Sequence, residues 1–173
     1  MPRRINRKEK DGSGPEAEVE YKQAFHKALD FLARRQHSAF QLRAKLGRHF
    51  AEDLIGRVES RLAELGYLDD KAFAREYASQ RFGRSPRSAL AVITELTGNG
   101  VDRDTAEQAV RFVMEDEGLN DESLALAAAG KKMAASGKPA PEKARDRLCR
   151  FLAGRGFSSE IIYRVVEKLT ARL

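Results

Sequence analysis

Positions 66–70 read Gly-Tyr-Leu-Asp-Asp and are followed at helical spacing by Phe73, Ala74 and Tyr77. Upstream, apolar residues recur every three or four positions as far as Leu65, as on one face of a helix. A glycine directly after such a stripe commonly takes a positive φ and ends the helix. The two aspartates are typical of a helix start, where a carboxylate accepts hydrogen bonds from free backbone N–H groups. The stretch therefore predicts a joint between two helical units.

The apolar residues of this joint, Tyr67 and Leu68, stand in a turn, and we expect both to be buried between helical units. A similar helix end and helix start occur at positions 118–121, which read Gly-Leu-Asn-Asp. Leu119 lies 52 residues after Tyr67. Single apolar residues also follow helix breaks at intervals of 51 and 56 residues, at Phe50, Val101 and Phe157. A period of about 50 residues is the signature of a tandem repeat. We assign the repeat junction to Tyr67, Leu68, Asp69, Asp70 and Leu119.

Apolar spacing is helical from Val19 onward, and no stretch alternates apolar and polar residues like a half-buried strand. We therefore predict an all-α fold of three tandem three-helix repeats that form an elongated, curved array. The predicted boundaries are a disordered basic and polar tail over residues 1–18 and repeats over residues 19–68, 69–118 and 119–173.

Helix starts within the repeats are also predictable from local signals. Ser38 and Gln41 form a capping box for the second helix. Ser85 before Pro86 has the form of an N-cap followed by proline at the first helical position, which predicts the start of the fifth helix. On that helix, Leu90 is expected to face inward.

Charge is distributed unevenly along a chain whose net charge is +6. Basic residues outnumber acidic ones by 9 to 6 in residues 20–68 and by 11 to 6 in residues 119–173, whereas residues 69–118 carry 7 basic and 10 acidic residues. Neither a membrane span nor a secretory signal is expected, because no apolar run is long enough. The single cysteine, Cys149, is expected to be a small buried residue of a reduced, cytoplasmic protein.

Catalytic and metal-binding patterns are missing from the sequence. The histidines His26, His37 and His49 have no cysteine or acidic pair that would complete a ligand set. Capping explains Asp69 and Asp70 better than an acid–base pair does. No phosphate-binding loop or nucleophile motif is present. We therefore expect no enzyme and no cofactor.

Basic residues lie on or near the middle helix of each predicted repeat. A charged row is usually a solvated face, but recurrence at equivalent repeat positions makes a contact with phosphate or with an acidic protein groove an equal alternative. The candidate partner-binding residues are Arg34, Arg35, Arg43, Arg48, Arg81, Arg84, Arg87, Lys143, Arg147 and Arg150.

Residues 66–74, then Glu95-Leu96, then Gly100-Val101 together resemble the RecX regulatory family. Ala28, Leu29 and Leu32 and the segment 38–46 are similar to that family's first repeat. The resemblance covers about residues 20–170, and the Gly-Tyr-Leu-Asp-Asp-x-x-Phe-Ala string is its most specific part.

The resemblance implies a bacterial protein of the cytoplasm with no cofactor, whose partner is the RecA filament on single-stranded DNA. It implies inhibition of strand exchange, ATP hydrolysis and co-protease function. We further expect a monomer that makes a weak direct contact to DNA. Two alternatives remain open. One is a DNA-binding protein with tandem helix-turn-helix-like units, and the other is a passive helical scaffold for another protein.

Overall fold

A computed structural model describes residues 14–136 and 141–170 of the chain. Within these ranges the chain forms nine helices and no strand. The helices are α1 (Pro15–Arg34), α2 (Ala39–Leu46), α3 (Glu52–Glu64), α4 (Asp70–Arg84), α5 (Ala89–Gly98), α6 (Arg103–Asp116), α7 (Asp121–Ser136), α8 (Pro141–Ala153) and α9 (Ser159–Thr170). The all-α tandem-repeat fold predicted from the sequence is confirmed. Its elongated, curved shape stays a prediction.

The first helix begins earlier than the sequence indicated. Gly14 is the N-cap of α1 and Pro15 opens it, so residues 15–18 are helical rather than part of a tail. Pro15 suits this place because its missing N–H would have no helical partner there. The remainder of the predicted tail, residues 1–13, lies outside the described residues.

The chain divides into two compact units, one ending at Leu68 and one starting at Asp69. In the first unit, α1, α2 and α3 pack around one apolar core. Ser38 caps α2 by accepting a hydrogen bond from the backbone N–H of Gln41 at 3.1 Å, which confirms the predicted capping box. The buried apolar residues of this core are Ala24, Ala28, Leu42, Leu46, Leu54, Ile55, Val58, Leu62 and Leu68.

The first unit also buries a histidine. His37 is 3% exposed, and its Nδ1 lies 2.9 Å from the carbonyl oxygen of Arg35. This contact requires a proton on Nδ1, and because burial lowers the pKa of His37 the ring is favoured in its neutral form, with Nε2 as the bare acceptor. Nε2 is buried and finds no hydrogen-bond partner in the described part of the chain.

The second unit contains the helices α4 to α9 around a larger core. Here α6 packs against both α4 and α5, while α9 packs against α7 and α8. Three alanines of α4 and α6, Ala74, Ala78 and Ala106, are completely buried in this core, and the two helices pack against each other.

Four helices end in one and the same motif, at the glycines Gly66, Gly100, Gly118 and Gly156, which all have positive φ. In each case the N–H of the next residue bonds to the carbonyl five residues earlier, as Tyr67 does with Leu62 at 2.9 Å. This is the Schellman arrangement, which normally carries an apolar contact back to the helix.

Tyr67 departs from the expected burial at this motif. Val101 and Phe157, which follow the corresponding glycines, are buried, but the side chain of Tyr67 is 59% exposed. The prediction that Tyr67 is buried between helical units is therefore wrong. Two apolar residues follow Gly66, and it is Leu68 that turns into the core of the first unit. Asp69, by contrast, caps α4 as predicted, accepting from the N–H groups of Lys71 and Ala72 at 2.8 and 3.1 Å.

The predicted start of α5 is also corrected. Ser85 is the C-cap of α4, and Ser88 is the N-cap of α5, with its Oγ accepting from the N–H of Ala91 at 3.2 Å. Residues 85–88 thus form a loop between α4 and α5. Leu90, expected to be buried, is 62% exposed, because Val92 and Leu96 form the inward stripe.

Candidate functional site

Basic residues of the first unit lie mainly at helix ends. Arg35, the C-cap of α1, donates to the carbonyl of Gln36 at 3.0 Å and to the side chain of Gln41 at 3.1 Å. Arg34 and Arg48 are exposed on the same unit. These side chains are available to a partner, but each is a separate surface charge.

Arg43 has an internal role in the first unit. Its guanidinium binds the carboxylate of Glu59, a residue 8% exposed, and lies 3.3 Å from Glu52. Hydrogen bonding to Glu59 raises the pKa of Arg43. A buried carboxylate requires such a partner, since an uncompensated charge in the interior is costly. Arg43 is therefore already paired with Glu59 inside the first unit, without any binding partner.

In the second unit, two of the predicted arginines converge on one carboxylate. Glu95 on α5 lies 2.6 Å from Nε of Arg81 and 3.1 Å from Nε of Arg87. It also accepts a hydrogen bond of 2.8 Å from the hydroxyl of Tyr77, whose pKa is raised by burial and by Glu95. Tyr77 in turn contacts Arg81 at 3.0 Å. The neutral phenol therefore donates to Glu95 and accepts from Arg81, so that it holds both side chains.

Arg155, in the turn between α8 and α9, joins the same place and was missed by sequence reasoning. Its Nη1 donates to Oγ of Ser85 and to the carbonyl of Pro86, both at 2.9 Å. Its own carbonyl accepts from the N–H of Ser88 at 3.1 Å. Burial, followed by repulsion from Arg87 and Arg81, lowers the pKa of Arg155. Only the Gly-Arg-Gly pattern of positions 154–156 hinted at the turn, and nothing in the sequence indicated its tertiary partner.

Gly156 explains how this turn approaches α5 so closely. A Cβ atom at Gly156 would lie 2.8 Å from Oγ of Ser88 and 2.9 Å from Cβ of Ala91. A side chain at this position would therefore separate the turn from the start of α5.

A further cation reaches the loop from α7. Lys131 donates from Nζ to the carbonyl of Gly83 at 2.6 Å, next to the exposed Arg84. We name the resulting set the loop cluster, because its members surround residues 83–88. It consists of Arg81, Arg84, Arg87, Lys131 and Arg155, with Glu95 as the carboxylate that contacts two of them. A cleft of about 210 Å³ beside it is lined by Tyr77, Gln80, Arg81, Arg84 and Ser85.

The predicted basic row of α8 is separate from these contacts. Arg147 and Arg150 are exposed, and Arg150 donates to the carbonyl of Asp146 in its own helix. The side chain of Lys143 lies outside the described residues. The structure thus brings together Arg81, Arg84 and Arg87 and adds two cations from α7 and the α8–α9 turn.

The described residues contain no group of three or more His, Cys, Asp or Glu side chains that could hold a metal ion. Over the same ranges, no helix is both long and apolar enough to cross a membrane.

Fold and site together define an all-α protein of tandem three-helix repeats with a cation-rich loop in its second unit. Models of the first, second and third three-helix domains of RecX match residues 24–62, 69–110 and 120–166, respectively. The chain belongs to the RecX family of regulatory proteins.

Individual relatives agree with this assignment. The chain is 34% identical over 149 residues to a regulatory protein RecX of Prosthecochloris aestuarii, with 86% of this chain and 94% of the relative covered. It is 33% identical over 140 residues to one of Pseudomonas entomophila, covering 80% and 86% of the two chains. In fold it is similar to the crystal structure of RecX from Lactobacillus salivarius, with a TM-score of 0.69, 19% identity, and 89% and 99% of the two chains covered.

Proposed function

We propose that this protein binds the RecA recombinase filament on single-stranded DNA and inhibits its strand exchange, ATP hydrolysis and co-protease activity. Membership of the RecX regulatory family is the observation that carries this proposal. Inhibition would act by binding rather than by catalysis, in the cytoplasm, as part of the control of DNA recombination, repair and the SOS response. The protein would act as a monomer.

The basic surface supports binding to a filament that combines protein with nucleic acid. Exposed cations occur on both units, and the loop cluster gathers five cations within the second unit, of which Arg84 and Lys131 are exposed and the other three half-buried. Several weak patches on one chain gain avidity when a long partner engages them together. Arg34, Arg35, Arg48, Arg147 and Arg150 are included in this proposed contact surface with the loop cluster, and Lys143 is included on its sequence position alone.

The test is the disassembly of cognate RecA filaments with and without this protein, together with RecA ATPase activity. Sub-stoichiometric amounts should shorten filaments and lower ATP hydrolysis. Unchanged filaments and unchanged ATPase activity at saturating protein would refute the proposal.

The triple variant Arg81→Ala/Arg84→Ala/Arg87→Ala tests the contribution of the second unit. We expect weaker inhibition with unchanged helicity by circular dichroism. Arg103→Ala/Arg111→Ala/Arg164→Ala is the matched control, since it removes three exposed arginines from the same unit but outside the loop cluster. Equal inhibition by the two triple variants would exclude the loop cluster from the contact.

The second candidate is a DNA-binding protein that acts without RecA. The loop cluster favours it to the extent that arginine forks suit phosphate groups. A pull-down with RecA in the absence of DNA distinguishes the two. Capture of RecA supports the filament regulator, whereas DNA affinity alone, falling steeply with salt, supports the second candidate.

A further inference from the structure

We propose that the loop cluster is a composite site for the backbone phosphates of a single-stranded nucleic acid, and that Glu95 is an internal counter-ion with which those phosphates compete. This deepens the proposed function and rests on it, because the strand carried by the filament is taken as the ligand. The site would be assembled from the second repeat and from the third, through Arg155 and Lys131.

Positive and negative charges are unbalanced around the loop cluster. Five cations surround residues 83–88; Glu95 contacts two of them, and Asp121 accepts a hydrogen bond from the N–H of Ala89 at 2.9 Å at the end of the same loop. The side chains of Arg81, Arg87 and Glu95 are 37%, 33% and 21% exposed, so their charges are screened less than those of fully solvated side chains. Two carboxylates cannot neutralise five cations, and the excess positive charge favours a bound anion.

The hydrogen-bond donors of the loop cluster are also held in place. Arg155 is fixed by Ser85 and Pro86, and Arg81 is fixed by Tyr77 and Glu95. These contacts reduce the side-chain freedom that binding would otherwise remove. The pKa of Arg155 is lowered first by burial and then by the charges of Arg87 and Arg81, so holding these like charges near one another is unfavourable. A phosphate between them would relieve that repulsion and use donors already oriented.

The side chains of the loop cluster suit phosphate better than a protein carboxylate. Four of the five cations are arginines, whose planar forks match phosphate oxygens. A single carboxylate from an acidic protein would only repeat what Glu95 already provides. A nucleic-acid strand brings a charge with each nucleotide, so neighbouring phosphates can reach cations that different helices contribute. Polyanion binding thus explains the composite origin of the cluster.

Substitution of Glu95 distinguishes a competing counter-ion from a purely structural residue. Replacing it by glutamine keeps the size of the side chain but removes the competing charge. Affinity for a strand should then rise, and the slope of log affinity against log salt should become steeper by about 0.7, the value for one additional phosphate on a single strand. A purely structural Glu95 would give the opposite result, because loosened arginines would bind less well.

The experiment is fluorescence anisotropy of a fluorescein-labelled oligothymidylate, titrated with the full chain at several salt concentrations and without RecA. Arg155→Ala and Arg84→Ala should each weaken binding about tenfold or less and lower the salt slope by about 0.7. Glu95→Gln should tighten binding. Arg164→Ala is the control, since that exposed arginine of α9 pairs with Glu122 and Glu160 and lies outside the cluster.

Arg155→Ala removes hydrogen bonds inside the unit, so its folding is checked by circular dichroism and thermal unfolding. Arg84→Ala tests the same site at an exposed position if Arg155→Ala does not fold. Unchanged affinity of Arg84→Ala together with unchanged or weaker binding by Glu95→Gln would overturn the proposal. Loss of RecA capture by these variants without any change in oligonucleotide binding would also overturn it, in favour of an acidic protein surface.

Measurement of RecA ATPase activity on the same preparations separates the two levels of the proposal. If wild-type protein leaves RecA unaffected but the oligonucleotide pattern holds, the regulatory function is wrong and the phosphate site stands. If wild-type protein inhibits RecA but the cluster variants bind oligonucleotide normally, the regulatory function stands and the site is wrong.

Discussion

At the scale of single residues, the most consequential contacts are those in which a charge is held inside a repeat. Arg43 was a candidate contact residue on sequence grounds, yet its guanidinium neutralises the buried Glu59. The sequence places these residues 16 positions apart on different helices and gives no sign of the pairing. Composition and spacing identify cations, but only the packed structure shows which of them already have a carboxylate.

Arg43→Ala should therefore lower the stability of the first unit more than it lowers partner binding. The loss should be about 2 kcal/mol, less than the 3–5 kcal/mol typical of fully buried pairs, because Arg43 is half exposed. Urea unfolding followed by circular dichroism measures it. Glu59→Gln combined with Arg43→Ala should recover part of the loss, and a double variant as unstable as Arg43→Ala alone would contradict the assignment.

His37 makes the stability of the first unit depend on pH. Its pKa is lowered, chiefly by burial and further by the positive charges of Arg35 and Lys45, while the hydrogen bond to the Arg35 carbonyl acts in the opposite sense. The unfolded chain therefore binds a proton at a higher pH than the folded chain does. Stability should be fully present above the unfolded value of about 6.5 and should decrease as the pH falls below it.

Denaturant midpoints measured between pH 7.5 and 5.5 test this expectation, in a range that spans the ordinary histidine pKa of about 6.5. His37→Gln should flatten the pH dependence, whereas His26→Gln should not, since His26 is exposed. Equal pH dependence in wild-type protein and His37→Gln would show that other groups are responsible.

At the scale of elements, local sequence signals predicted the starts and ends of helices well. Features that depend on tertiary packing were predicted poorly. Gly66 and the caps Ser38 and Asp69 depend on neighbouring residues alone, and all three behave as predicted. The start of α5 was misplaced because both Ser85 and Ser88 can cap a helix. Which serine does so depends on the docking of the loop against Arg155, a residue 70 positions away from Ser85.

Two glycines with similar backbone angles provide a matched test of that docking. Gly66→Ala should cost about 1 kcal/mol, because φ is +74° but a Cβ atom would meet nothing within 4 Å. Gly156→Ala, at φ +84°, should cost more by a further 1 to 3 kcal/mol, because its Cβ would meet Ser88 and Ala91. Thermal and urea unfolding compare the two. Equal losses would mean that the α8–α9 turn does not pack tightly against α5.

At the scale of the whole molecule, the repeat period was readable from the sequence but the grouping of repeats was not. The three repeats look equivalent in spacing, yet the chain divides after Leu68 into a unit of three helices and a unit of six. Leu68 belongs to the first core, while Phe73 belongs to the second. The spacing of apolar residues identifies the three repeats. The polar contacts between residues 83–88 and Arg155 join the second repeat to the third.

A fragment spanning residues 69–173 should therefore fold alone with a cooperative thermal transition. It contains the larger core and the Arg155 contacts. A fragment spanning residues 1–68 has a smaller core and should unfold at a lower temperature, as expected for a domain of that size. Circular dichroism melting curves of both fragments test this. A broad, non-cooperative transition for residues 69–173 would contradict the division.

The close fit at Gly156 also bears on how genes of this kind can be rearranged. Because the α8–α9 turn has no room for a side chain against Ser88 and Ala91, its shape is matched to one particular neighbour. A recombination event that exchanged the third repeat alone would bring in a turn shaped for a different surface. Exchanges should therefore be tolerated when they carry residues 69–173 as a single cassette, and crossovers should accumulate near Leu68 rather than near Leu119.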